Sequence, residues 1–139
     1  MTQECVLVIK TSDPIPFTCA NGTGIEKGAI LKLDDPMTVA LADGDGDVIG
    51  GIAAEEKIAS DGKTKIAVYR SGIFKGTAGA LAATVGDVLM TYNGTGDDND
   101  IVVAAAATAA GSGLGIALET VANNETFLFE LRPGVMRET

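Results

Sequence analysis

Short apolar, β-prone runs alternate with clusters of Gly, Asp and Asn along the chain after residue 24. The apolar runs are AILKL, MTVAL, VIGGIAA, TKIAVYRS, DVLMTY, DIVVAA, LGIALE and TFLFELR, and between them stand DDP, DGDGD, SDGK, NGTGDDND and ANNE. Each run has the length of one strand, and each interruption has the residue types that turns select. Closely spaced strands of this kind predict a small barrel or sandwich. Helix has one candidate, Gly76 to Val85 (GTAGALAATV), where Ala and Leu favour helix and the glycines oppose it, so at most one short helix is expected. Ile101 to Leu118 is uncharged and long enough on length alone to span a bilayer, but it is mostly Ala and is interrupted by Gly111, Ser112, Gly113 and Gly115. It lacks the Leu/Ile/Phe density that favours insertion and is expected to be buried protein.

The first 24 residues break the rhythm. A short apolar strand, CVLVI, runs into TSDPIPF, where Pro14 and Pro16 withhold two ladder donors and keep the chain extended. The expected organisation is an extended N-terminal arm over 1–24 and one β-barrel-like domain over 25–139. Within that domain three matches recur in the same order: Gly28-Ala-Ile-Leu with Gly86-Asp-Val-Leu, Gly51-Ile-Ala with Gly115-Ile-Ala, and Tyr69-Arg70-Ser71-Gly72 with Leu131-Arg132-Pro133-Gly134. They predict two pseudo-repeated halves, about 25–76 and 83–139, that close on one another, since neither half-sheet buries its face alone. The fold class expected is therefore mainly β, a small barrel or sandwich of two repeated halves with an N-terminal arm.

Composition narrows the chemistry. The 139 residues contain no His and no Trp, which removes histidine general bases, Ser-His-Asp catalysis and histidine-bearing zinc sites. With 10 Lys+Arg against 19 Asp+Glu, the net charge of -9 makes nucleic acid and anionic membranes poor partners. The opening ten residues have no basic n-region, and Val6 to Ile9 is too short for a signal-peptide core, so the protein is expected to be made and kept inside a cell. Cys5 and Cys19 are then expected as free thiols.

The remaining motifs are weak. Asp43, Asp45 and Asp47 alternate as in a calcium loop, yet Val48 stands where such a loop needs Gly and Ala54 where it needs Glu, so they are weak cation candidates and a solvated hairpin tip is the stronger reading. Asp61-Gly62-Lys63-Thr64 lacks the first Gly of a phosphate loop, and Gly111-Ser112-Gly113 has no histidine to activate its serine. No catalytic residue, metal or cofactor is expected. Arg70 and Arg132, each followed by Gly72 or Gly134, occupy matching places in the repeats, where they either fix a strand corner through carbonyls or meet a partner.

The order of these pieces resembles the head-decoration, or cement, proteins of tailed bacteriophages: an extended arm, then Ile25 to Leu31 with its Gly28, Val48 to Ala53, Val68 to Phe74, Val85 to Leu89 and Gly113 to Leu118. The resemblance covers about residues 22–132. It implies a non-enzymatic β-rich homotrimer on the outer surface of the virion, assembled in the host cytoplasm, that clamps the major capsid protein after head expansion. The arm, with Thr2, Gln3, Val6, Val8, Pro14, Ile15, Pro16 and Phe17, suits strand addition to a capsid edge. It suits equally a strand that closes the protein's own barrel or crosses to a neighbouring subunit. A stand-alone adhesin-like β-domain and a small ligand-binding barrel enzyme are the alternatives, distinguished by a stable monomer or by a deep polar pocket.

Overall fold

Burial on both faces of one strand reveals how the chain is arranged. Ile49–Ala53 (IGGIA) is covered along its whole length, which a single half-solvated sheet does not require. The computed structural model describes residues 4–79, 82–92, 99–104 and 110–137. These form strands β1 (Val6–Ile9), β2 (Ile15–Thr18), β3 (Ile30–Asp35), β4 (Thr38–Leu41), β5 (Ile49–Ala53), β6 (Lys65–Tyr69), β7 (Gly72–Ala78), β8 (Val88–Tyr92), β9 (Asp100–Val103), β10 (Gly115–Ala117) and β11 (Thr126–Leu131). No helix occurs among the described residues. The helix considered over Gly76 to Val85 is replaced by the end of β7 and by an isolated bridge from Ala83 to Val121, with residues 80 and 81 outside the described set. β7 is held by β11 along one edge and by β9 at its C-terminal end, and those ladders outweigh the weak helix preference of a glycine-interrupted Ala run.

The strands close into two barrels, β2-β4-β3-β5-β6 and β7-β9-β8-β10-β11, with β1 added along β7. The connectivity is the same twice over. Each barrel is sealed by one parallel pairing, β2 with β4 and β7 with β9, while its other pairings are antiparallel. Each carries the same bridge between turns, Ile25 with Lys57 and Ala83 with Val121. Gly28 and Gly86 share a φ of 91°, and their N–H groups donate to Ala53 O at 2.9 Å and Ala117 O at 2.8 Å. That left-handed backbone is open to Gly at little steric cost, which is why the two positions match in the sequence. Glu55 and Glu119 accept the N–H groups of Ala67 and Leu128, both at 2.8 Å.

Two expectations shift. The repeat units run from β2 to β6 and from β7 to β11, so the boundary falls at Ser71, ahead of the expected end of the first half. Ala53 stands opposite Val68 and Ala117 opposite Phe129, so in strand register Arg70 corresponds to Leu131; the Arg-x-Gly match with Arg132 lies one residue out. The motif marks the bend after the strand, whereas hydrogen-bond pairing fixes the register.

The cores follow the two barrels. Phe17, Leu31, Val39, Ile66 and Val68 fill the first. Phe74, Phe127, Phe129, Leu89 and Ile101 belong to the second cluster, which Ile30, Ile49 and Ile52 join from the outer face of the first barrel. Adjacent residues Ile30 and Leu31 thus point into different cores, which explains why the start of β3 and the whole of β5 are buried on both faces. The N-terminal segment is not a detached arm over residues 4–24: β1 lies on β7, β2 is a wall of the first barrel, and Cys5, Phe17 and Cys19 are buried. Cys5 and Cys19 are free and sit in different clusters.

Candidate interaction surface

β1 is a short, uncharged strand with one edge on β7 and no pairing along its other edge among the described residues. Val6, Val8 and Ile9 are 61%, 50% and 51% exposed, and Ile15 at the start of β2 is 42% exposed. Unpaired backbone groups beside apolar, β-branched side chains form the surface to which another strand adds most readily. Ile9 was not singled out by sequence; its signal was the VLVI run itself, all of which is open to solvent on at least one face.

The other arm residues divide. Pro14 is half-buried and Pro16 exposed beside this surface, while Thr2 and Gln3 lie outside the described residues. Phe17 is corrected: at 4% exposure it fills the first barrel opposite Ile66, so it has no surface to offer a partner. Beside β1 a cleft of about 390 Å³ is lined by Glu4, Cys5, Val6, Leu7, Lys27 and Tyr69. Burial, and secondarily the charge of Glu4, pushes the Cys5 thiol up to about 12, so at neutral pH it is neither a nucleophile nor a thiolate ligand. Glu26 shares a hydrogen bond with Glu4, and that bond and the neighbouring charge hold the Glu26 carboxyl above the ordinary range.

The two arginines play different parts. Arg70 donates to Ile49 O at 3.2 Å and to Gly50 O at 2.9 Å and so ties the β6–β7 corner to β5. Arg132 pairs with Glu130 at 2.9 Å on the surface. Gly72 opens β7 with a φ of 131°, and Gly134, after β11, donates its N–H to Gly113 O at 2.8 Å. None of the four is paired with β1; Gly72 adjoins Ile73, which pairs with Ile9.

The aspartate loop differs from the solvated tip expected of it. Asp47 turns its carboxylate onto the loop itself, accepting the N–H groups of Asp43 and Gly44 at 2.8 and 2.9 Å, and Asp43 meets Lys32 at 3.0 Å. The loop is docked on the second barrel: Thr91 Oγ1 donates to Gly44 O and accepts Asp47 N–H, and Ser112 Oγ donates to Gly46 O at 2.7 Å. A further junction bond runs from Ile30 N–H to Oδ1 of the buried Asn99. No cluster of three potential metal-ligating side chains occurs among the described residues. The junction roles of Thr91, Asn99 and Ser112 were missed in the sequence because small polar residues inside or beside apolar runs read locally as turn chemistry.

A family model described as phage cement protein matches residues 9–133. The chain belongs to the phage cement protein family. As a cement-family protein it has a capsid-associated structural role. Its fold is also that of a solved structure, the head fiber gp8.5 N base of bacteriophage phi29, at a TM-score of 0.54 and 16% identity, covering 87% of this chain and 97% of that one. No curated protein sequence matches the chain.

Proposed function

We propose that this protein is a non-enzymatic capsid decoration protein that binds the outer face of an expanded phage head as a homotrimer at local three-fold positions and holds neighbouring major capsid subunits together. Membership of the phage cement family is the observation that carries this reading. The surface we assign to the capsid is the β1 edge, with Val6, Val8 and Ile9, together with Ile15, because it combines unpaired backbone with apolar side chains. A protein that binds only the expanded lattice adds its association free energy to that state. Many copies, each bound weakly, then stabilise the shell collectively. The charge of -9 keeps the free subunit soluble and disfavours contact with DNA and anionic membrane.

The test is binding to expanded, undecorated heads of the source phage. Saturable binding that raises the disruption temperature of the heads is expected, and no binding to expanded heads overturns the proposal. Replacing Val6 and Val8 by Lys is expected to lower occupancy by about tenfold while leaving the melting temperature of the free protein unchanged. Light scattering during size-exclusion chromatography is expected to give the mass of three chains; a monomer at every concentration removes the three-fold placement.

A further inference from the structure

The internal duplication allows one barrel to be read against the other, position by position. Thr18 and Thr77 both stand at the parallel seam, paired with Thr38 and Asp100. The next residues, Cys19 and Ala78, both donate backbone N–H groups to the opposite neighbour, at Thr64 O and Glu125 O, each at 2.9 Å. Pro16 pairs with Ala67 and Lys75 with Leu128, and these two partners are the residues whose N–H groups the equivalent Glu55 and Glu119 accept. Counting along the strands therefore sets Pro16 against Lys75 and Pro14 against Ile73.

Backbone groups alternate in direction along a strand. Thr18 N–H points toward β4, to Met37 O at 2.7 Å, so Pro16 faces the same way, onto the edge of β2 that, among the described residues, is unpaired before Thr18. On β7 the same edge is taken by β1: Val6 pairs with Lys75 and Ile9 with Ile73. The two positions that face β1 on the second barrel are thus the two prolines on the first.

This coincidence has a competitor in view. β1 lies antiparallel to β7, and the equivalent seat on β2 would pair Val6 with Pro16 and Ile9 with Pro14, leaving Lys10 to Asp13 as a hairpin loop of ordinary length. That hairpin is local, whereas the native pairing reaches from Val6 to Lys75, and local strand pairs form first. In the native arrangement the connecting residues Thr11 and Ser12 hydrogen-bond Ser71 at 2.8 and 2.6 Å, at the corner between the barrels.

We propose that Pro14 and Pro16 direct β1 away from its local hairpin partner and onto the second barrel, so that the N-terminal segment straps the two barrels together. Two missing donors make the near seat unable to hold a ladder, and the equivalent distant seat, with Ile73 and Lys75, holds it. The same pair guards the edge of β2 against β1 of another copy.

The test is amide hydrogen exchange on the full-length protein with Pro14→Thr and Pro16→Thr together. Exchange at Ile73 and Lys75 is expected to accelerate by about tenfold or more, while the new amides at positions 14 and 16 become protected. Ile73 and Lys75 remaining as protected as in the wild type, with the new amides exchanging freely, overturns the proposal. If the double variant does not fold, Pro16→Thr alone carries the same readout at Lys75 and at position 16: faster exchange at Lys75 with protection at 16 supports the strap, and no change at Lys75 refutes it.

Discussion

Replacing Thr91 by Val tests whether the aspartate loop is a free tip or part of the joint between barrels. The two side chains have nearly the same shape, so the substitution keeps β8 packed and puts a methyl, which can neither donate nor accept, where the hydroxyl was. That hydroxyl donates to Gly44 O at 2.9 Å and accepts Asp47 N–H at 3.0 Å, and Thr91 itself is buried. Two hydrogen bonds of about 1 kcal/mol net each give a loss of about 2 kcal/mol, rising toward about 3 kcal/mol if both loop groups stay unpaired. With an unfolding entropy of about 2.1 cal/mol/K per residue over 139 residues, a loss of about 2 kcal/mol lowers the melting temperature by about 7 °C. Calorimetry gives the shift, and urea unfolding at equal m-values gives the free energy. Were the loop a solvated tip, Val would sit in the strand at no cost, since its β propensity is at least that of Thr. A Thr91→Val protein within about 0.5 kcal/mol of the wild type, or more stable than it, would refute the docking of this loop.

Other outcomes follow from single sites. Lys57 is buried, with its ammonium donating to Asn21 O, Thr23 O and Ile58 O and lying 3.4 Å from Asp61, so Lys57→Met is expected to cost about 3 kcal/mol in urea unfolding. A Cβ at Gly76 would stand 2.7 Å from Ile101 Cδ1 and 2.8 Å from Phe129 Cε1, so Gly76→Ala is expected to destabilise by about 1–3 kcal/mol through overpacking, read by calorimetry. Glu26 holds its proton more tightly folded than unfolded, because of Glu4, so its contribution is present at low pH and lost as pH rises through the folded value. Glu26→Gln is accordingly expected to melt higher than the wild type at about pH 7, with the gain shrinking toward about pH 4. The Cys5 thiol, buried and shifted to about 12, is expected to react with a thiol reagent only at the rate of unfolding.

Much of the architecture was legible in the residues. Apolar runs bounded by Gly, Asp and Asn located the strands, and the Gly28/Gly86 and Gly51/Gly115 matches exposed the duplication, because a left-handed turn and a close strand crossing leave room for little else. The VLVI run itself was visible too, since four apolar residues without charge are a local property, but its exposure was not. Other features were hidden by their dependence on distant partners. Pro14 and Pro16 announced only an extended chain; that they face an open edge, at the places of Ile73 and Lys75, depends on pairing with β6. Phe17 read as part of an arm because its burial comes from strands that follow it in the chain. DGDGD read as a hairpin tip because its acceptors and donors meet Thr91 and Ser112 from the other barrel.

The sequence by itself determined where strands form, where they turn, that two similar halves exist and that histidine chemistry is absent, all of which rest on residue type and near-neighbour spacing. Tertiary structure alone decided that the halves are two closed barrels, with Ile30, Ile49 and Ile52 of the first packed into the core cluster of the second, that β1 crosses to the second of them, and which apolar residues remain exposed. Those outcomes depend on hydrogen-bond register between distant strands, and shifting one strand by one residue reverses the face that every side chain presents.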